Sequence, residues 1–370
     1  MTSPSGGLPA PEEPVAYPPA AYPPGAPAPG APAPGAYVPG AYVPQHGGGE
    51  LPPYPPLSAP PADVEDPAPY HRLFRTTRAY AWWRPLVAVA VFVAFVVVAQ
   101  LVIGVAWIVV MILTGGIASL GSIDQVYAEL TDISNPVSLV ILFGSIAVML
   151  PLVPLAMLCA GLRPVGMRHS VAFRIRWRWM LWCAIPALVV TALSTGLSFL
   201  PLLFGETITP VPVEPATFAL LAVIIVLLVP LQSAAEEYVF RGLIMQTLGA
   251  WVRSPWPGIL VSTVIFTVGH TQYELWGLLS VGVMGLGFAI LVWRTGGLEA
   301  GIAFHVVNNV VALVLLASGA LGTTVMSSEG SGPLTPLVQL VFTAGYVVWV
   351  DVAARRTGLA RARELSSTAS

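Results

Sequence analysis

From about residue 86 onward, apolar runs of near membrane-spanning length alternate with short polar stretches. The pattern predicts an all-α, polytopic membrane helix bundle of about eight transmembrane helices. The runs are Leu86–Leu113, Val137–Ala160, Met180–Leu200, Ala216–Ala250, Gly258–Thr271, Leu275–Trp293, Leu298–Leu316 and Leu337–Val350. About 20 apolar residues cross the ~30 Å hydrocarbon layer as a helix. The fifth run is short for that task.

The polar positions test this reading. Arg72, Arg75, Arg78 and Arg84 precede the first run, and Arg163, Arg168, Arg174, Arg176 and Arg178 fall between the second and third. Arg253 follows the fourth, Arg294 the sixth, and Arg355, Arg356, Arg361 and Arg363 the eighth. The alternate loops hold Asp124, Glu129, Asp132, Glu206, Glu214, Glu274 and Glu329 and no arginine. Eight spans with both termini cytoplasmic satisfy the positive-inside rule at every loop. The transmembrane domain is therefore set at 80–354, with a short cytoplasmic tail at 355–370.

Composition agrees. Only 9% of residues are charged, against roughly 25% in soluble domains. All 16 basic residues are arginine. With the excess of Ala, Val, Pro and Gly, this points to a GC-rich genome and a bacterial plasma membrane. Residues 1–70 are rich in Pro, Ala, Gly and Tyr, a composition predicted to be disordered and cytoplasmic. They lack the basic and apolar regions of a signal peptide. Such a tail is either passive or a docking segment for a Pro-recognising protein partner. Cys159 and Cys183 lie in apolar runs and read as small core residues. Nothing calls for nucleic acid.

Inside the spans the conspicuous polar groups are Gln232, Glu236, Glu237, Arg241, His270, His305, Asn308 and Asn309. Ionisable groups there cost a few kcal/mol each, so the cluster is a candidate site. Glu237 and Arg241 are four apart and share a helix face, where they can pair. Glu236 points about 100° away and is left for another partner. His305 and Asn309 also share a face, as do Phe266 and His270. Glu236 lies 17 residues before Arg253 and His270 lies 17 after it, so a hairpin brings both about 25 Å from that turn. His305 is 11 residues beyond Arg294, about 16 Å deep, and joins them if the first hairpin protrudes further.

A carboxylate, two histidines and an amide in a water-poor cavity suit hydrolysis of an amide bond. Glu236 would take a proton from the attacking water, and His305 and Asn309 would donate to the oxyanion. Alternatively, Glu236, His270 and His305 form a three-ligand zinc set with an open position. The helical His-Glu-x-x-His motif is absent, so nothing compels a metal. Asn308 reads as a helix-packing amide and Gln232 as a lining of the same cavity. The glycines of the sixth and seventh runs read as close-packing positions. Tyr273 and Trp276 read as interface anchors.

Glu-Glu-x-x-x-Arg at Glu236–Arg241, Phe-x-x-x-His at Phe266–His270 and His-x-x-x-Asn at His305–Asn309 occur in that order on successive spans. Together they resemble the CAAX protease and bacteriocin-processing family, the type II CAAX prenyl endopeptidases or Abi proteins. The resemblance covers roughly Val171 to Val350. It implies an intramembrane endopeptidase, glutamate- or zinc-dependent, acting on a membrane-associated or lipid-modified peptide within the bilayer. It implies Glu236 as water activator, His270 as its assistant, His305 and Asn309 as oxyanion stabilisers, and Glu237 and Arg241 as supports. The competing readings are a non-catalytic scaffold or immunity-type protein, and a proton-coupled transporter. The transporter is disfavoured because the polar groups sit only in the second half.

Overall fold

A computed structural model describes residues 66–78, 80–113, 122–328 and 331–365. The predicted tail up to residue 65 lies outside the described residues. The helices are α1 (Arg84–Leu113), α2 (Ile123–Thr131), α3 (Pro136–Ala147), α4 (Met149–Cys159), α5 (Trp177–Ser198) and α6 (Pro215–Glu237). A π-helical segment, Tyr238–Met245, continues α6 into α7 (Gln246–Trp251). Then follow α8 (Trp256–Val268), α9 (Leu275–Thr295), α10 (Glu299–Ala317) and α11 (Leu334–Arg356). Among the described residues the bundle is all-α apart from one two-stranded pairing and isolated bridges at Asp132–Val325 and Ser170–Gly297.

Among the described residues, seven stretches are long and apolar enough to cross a membrane. α3 and α4 form one of them, Pro136–Cys159, offset at Val148. Pro151 lacks the N–H that would bond to Ala147, which explains the offset. The fifth expected span, Gly258–Thr271, differs. α8 has only 13 residues, about 20 Å of helix, and stops two-thirds of the way across. The irregular stretch 269–274 completes the distance to α9. Such backbone is tolerated at membrane depth only where protein encloses it.

α10 is the centre of the second half. It packs on α5, α6 and α9, while α11 closes on α9 and α5. α8 packs on α9 and on the π-helical segment. Each contact buries an apolar stripe, and the outward faces of α1, α5 and α8 stay apolar toward lipid. Cys183 is buried as expected, but Cys159 is exposed, because it closes α4 on the outward face.

The folded body begins within the last residues of the Pro-rich stretch. Strand β1 (Ala68–Pro69) pairs antiparallel with β2 (Ala362–Arg363). The 3-10 turn Tyr70–Thr76 then buries Tyr70, His71, Arg72, Leu73 and Phe74. This turn caps the end of α7, whose last carbonyls lack helical partners. Arg72 donates to Gly249 O at 2.8 Å and Arg75 to Ala250 O at 3.1 Å. A Cβ on Gly249 would lie 1.9 Å from His71 O. Gly249→Ala is therefore expected to lower stability by about 1–3 kcal/mol through overpacking. A melting curve in detergent identical to wild type would contradict this.

Candidate active site

Glu236 and Glu237 close α6 where the ladder changes to the i→i+5 bonding of the π-helix, a form often found at functional sites. The spacing argument assumed uninterrupted α-helix here. The predicted pair forms nonetheless: Arg241 Nη1 donates to Glu237 Oε1 at 3.0 Å, with both side chains fully buried. Arg241 Nη2 donates to Gly285 O of α9 at 2.5 Å. Its guanidinium also lies 4.8 Å from the Phe266 ring centre and 5.5 Å from that of Phe288, a favourable cation–π setting. Two glycines make room. A Cβ on Gly285 would meet Phe266 Cδ1 at 2.8 Å, and one on Gly301 would meet Glu237 Oε2 at 3.1 Å.

His305 projects from α10 between the two glutamates. Its Nδ1 lies 3.2 Å from Glu237 Oε1 and its Nε2 3.3 Å from Glu236 Oε2. Spacing alone separated the glutamates into one structural and one catalytic group, but His305 links them. Two carboxyl groups, one guanidinium and one imidazole thus share a single buried cluster. Glu236 Oε2 is buried and forms no hydrogen bond.

His270 stands where α8 ends. Its Nδ1 lies 2.7 Å from Phe266 O, one of the last-turn carbonyls that a helix end leaves without a partner. A carbonyl only accepts, so Nδ1 carries a proton. The early stop of α8 therefore fixes which ring nitrogen faces the backbone. The Phe266 ring is 4.6 Å from the His270 ring and 5.9 Å from that of His305, so one phenyl wall carries both imidazoles. Tyr273, expected at the interface, stacks along His270 at 6.3 Å. It is close enough to Glu236 for their charges to interact.

Asn309 lies one turn beyond His305. Its Nδ2 reaches Ser233 Oγ at 3.5 Å, Ser233 donates to Gln232 Oε1 at 3.2 Å, and Asn308 donates to Asn309 Oδ1 at 3.2 Å. Asn308 is thus tied to the polar chain of the site. Ser233 is fully buried and escaped the sequence reading. Its signal was its position four residues before Glu237, on the same helix face.

Carboxylate and imidazole are zinc ligands by type. Among the described residues, however, no three His, Cys, Asp or Glu side chains are grouped so as to hold a metal. Both His305 nitrogens face carboxylates, and His270 Nδ1 is turned to a carbonyl. The placed donors do not fit a zinc site.

At the end of the bundle away from the arginines, the chain after α10 meets the junction of α2 and α3 and the start of α9. Ile133 N donates to Thr324 O and Met326 N to Thr131 O. Thr324 Oγ1 donates to Asp132 Oδ1 at 2.8 Å, and Glu274 N to Ser328 Oγ at 2.7 Å, beside the stretch that carries His270.

Fold and site together define a multi-pass membrane protein with a buried acid–base centre among its helices. Residues 215–311 match the family model of the type II CAAX prenyl endopeptidases, Rce1-like. The matched segment runs from the start of α6 into α10 and contains all three motifs. It is narrower than the Val171–Val350 span of the resemblance. The match supports intramembrane protease activity as the general function. No curated protein and no solved structure matches the chain.

Proposed function

We propose that the protein hydrolyses a peptide bond of a membrane-associated or lipid-modified peptide, using a water activated by Glu236. The observation that carries this reading is the buried Glu236 Oε2 with no hydrogen bond, 3.3 Å from His305 Nε2. A buried acceptor left open costs stability, and a reacting water supplies what it lacks. Glu236 takes the proton of that water as its oxygen attacks the carbonyl carbon. The proton then passes to the leaving amine. His270, through its Nε2, orients the water. Asn309, with His305 Nε2, donates to the developing oxyanion. Glu237 and Arg241 hold the helix and balance its charge. Both termini and the arginine-bearing loops lie in the cytoplasm, and substrate arrives from that half.

The structural reading, a network that merely ties helices together, suits Glu237 and Arg241, which pair with each other at full burial. It gives Glu236 no purpose. Proteoliposomes are expected to cleave a farnesylated peptide ending in a CAAX sequence faster than its unmodified twin. Failure to cleave either above the protein-free control would overturn the proposal. Cleavage is also expected to survive exhaustive chelation and to gain nothing from added zinc. Loss on chelation with recovery on zinc would reject the metal-independent mechanism.

A further inference from the structure

A second cavity lies on the outer wall of the bundle. α5 and α6 both pack on α10 but not appreciably on each other. The gap between them is a cleft of about 470 Å³, within the range of pockets that hold small molecules. α5 contributes Leu181 and Ala184, α6 contributes Leu231 and Ala234, and α10 forms the floor with Val306. Leu181 is 66% exposed and Leu231 46% exposed, so the cleft opens sideways into the hydrocarbon layer. No motif residue lines it. Ala234 and Tyr238 face it from α6, while Glu236, Glu237 and Ser233 turn the other way.

One end of the cleft is polar. There Arg168, His169 and Tyr238 meet at the arginine-bearing side of the bundle. Tyr238 is hydrogen-bonded to His169 Nδ1, and Arg168 lies over the Tyr238 ring at 5.5 Å. Burial holds the His169 imidazole down to about 4, with Arg168 adding to the effect, so His169 is neutral at physiological pH. Arg168 donates to Val165 O, and among the described residues no carboxylate lies within ion-pair distance of it. Burial pulls its guanidinium below the usual range. A half-buried cation with no counter-anion is costly unless an anion joins it.

We infer that this cleft binds one anionic membrane phospholipid, with an acyl chain between α5 and α6 and the phosphate on Arg168. Charge and shape agree: the walls are apolar, and Arg168 sits at the arginine-bearing end of the cleft, where an anionic headgroup would lie. The bound phosphate would lie against Tyr238, the residue that follows Glu237. Occupancy would thus brace the start of the π-helical segment without entering the reaction site.

The test is native mass spectrometry of the purified full chain titrated with phosphatidylglycerol or phosphatidylcholine. Wild type is expected to hold one phosphatidylglycerol about tenfold more tightly than phosphatidylcholine, the worth of one charge-assisted contact. Arg168→Gln should erase the preference, Arg168→Lys should keep most of it, and Ala184→Phe should fill the cleft and lose both lipids. Equal affinity of wild type for the two lipids would overturn the inference, as would a preference that survives Arg168→Gln. Competitive displacement of phosphatidylglycerol by the farnesylated peptide would assign the cleft to substrate and also overturn it. If Arg168→Gln does not fold, undiminished phosphatidylglycerol binding by Ala184→Phe decides against it. Peptide cleavage plays no part in these readings, so they stand apart from the proposed activity.

Discussion

Arg241→Met is expected to destabilise the bundle by about 3–5 kcal/mol, the usual cost of removing one partner from a buried ion pair. The guanidinium is fully buried and serves two elements at once, Glu237 on its own helix and Gly285 O on α9. Methionine fills similar volume but leaves Glu237 with His305 alone and an α9 carbonyl unpaired. The loss should appear as a large fall in melting temperature in detergent. Glu237→Gln combined with Arg241→Met should recover part of it, because removing both charges is far cheaper than removing one. A single variant that melts with wild type would show that the pair holds nothing together.

Glu236→Gln is expected to act in the opposite manner. The amide matches the carboxylate in shape and can still face His305, but it cannot accept a proton from water. Loss of a general base typically costs about 10²–10⁴ in rate, and kcat should fall by that factor with KM little changed. Stability should hold or rise, since the wild-type carboxylate is buried with an oxygen that forms no hydrogen bond. Exchanges that stabilise while removing activity are typical of functional sites. A large fall in melting temperature would instead make Glu236 a structural residue.

Much of the site was legible because it rests on local periodicity. The Glu237–Arg241 pair follows from four-residue spacing and survives the change to π-helix. The equal distances of Glu236 and His270 from Arg253 were an expectation of a common level, while the contact that the structure places here is of one phenyl ring, Phe266, with the imidazoles of His270 and His305. What escaped depends on tertiary contact. No residue type marks an i→i+5 ladder, so Tyr238–Met245 read as ordinary helix. The apolar run Gly258–Thr271 gave no sign that its helix ends at Val268, yet that end supplies the carbonyl that orients His270. The bridging of both glutamates by His305 depends on how closely α10 approaches α6, which Gly301 permits but does not announce. The burial of Tyr70–Phe74 was hidden by the proline-rich composition before it, and its reason is the set of open carbonyls at the end of α7.

The most direct test compares wild type and Glu236→Gln in the same proteoliposomes, each matched for folded protein, by the release of product from the farnesylated CAAX peptide. The account predicts cleavage by wild type and a rate at least about a hundredfold lower for the variant. Equal rates would contradict it.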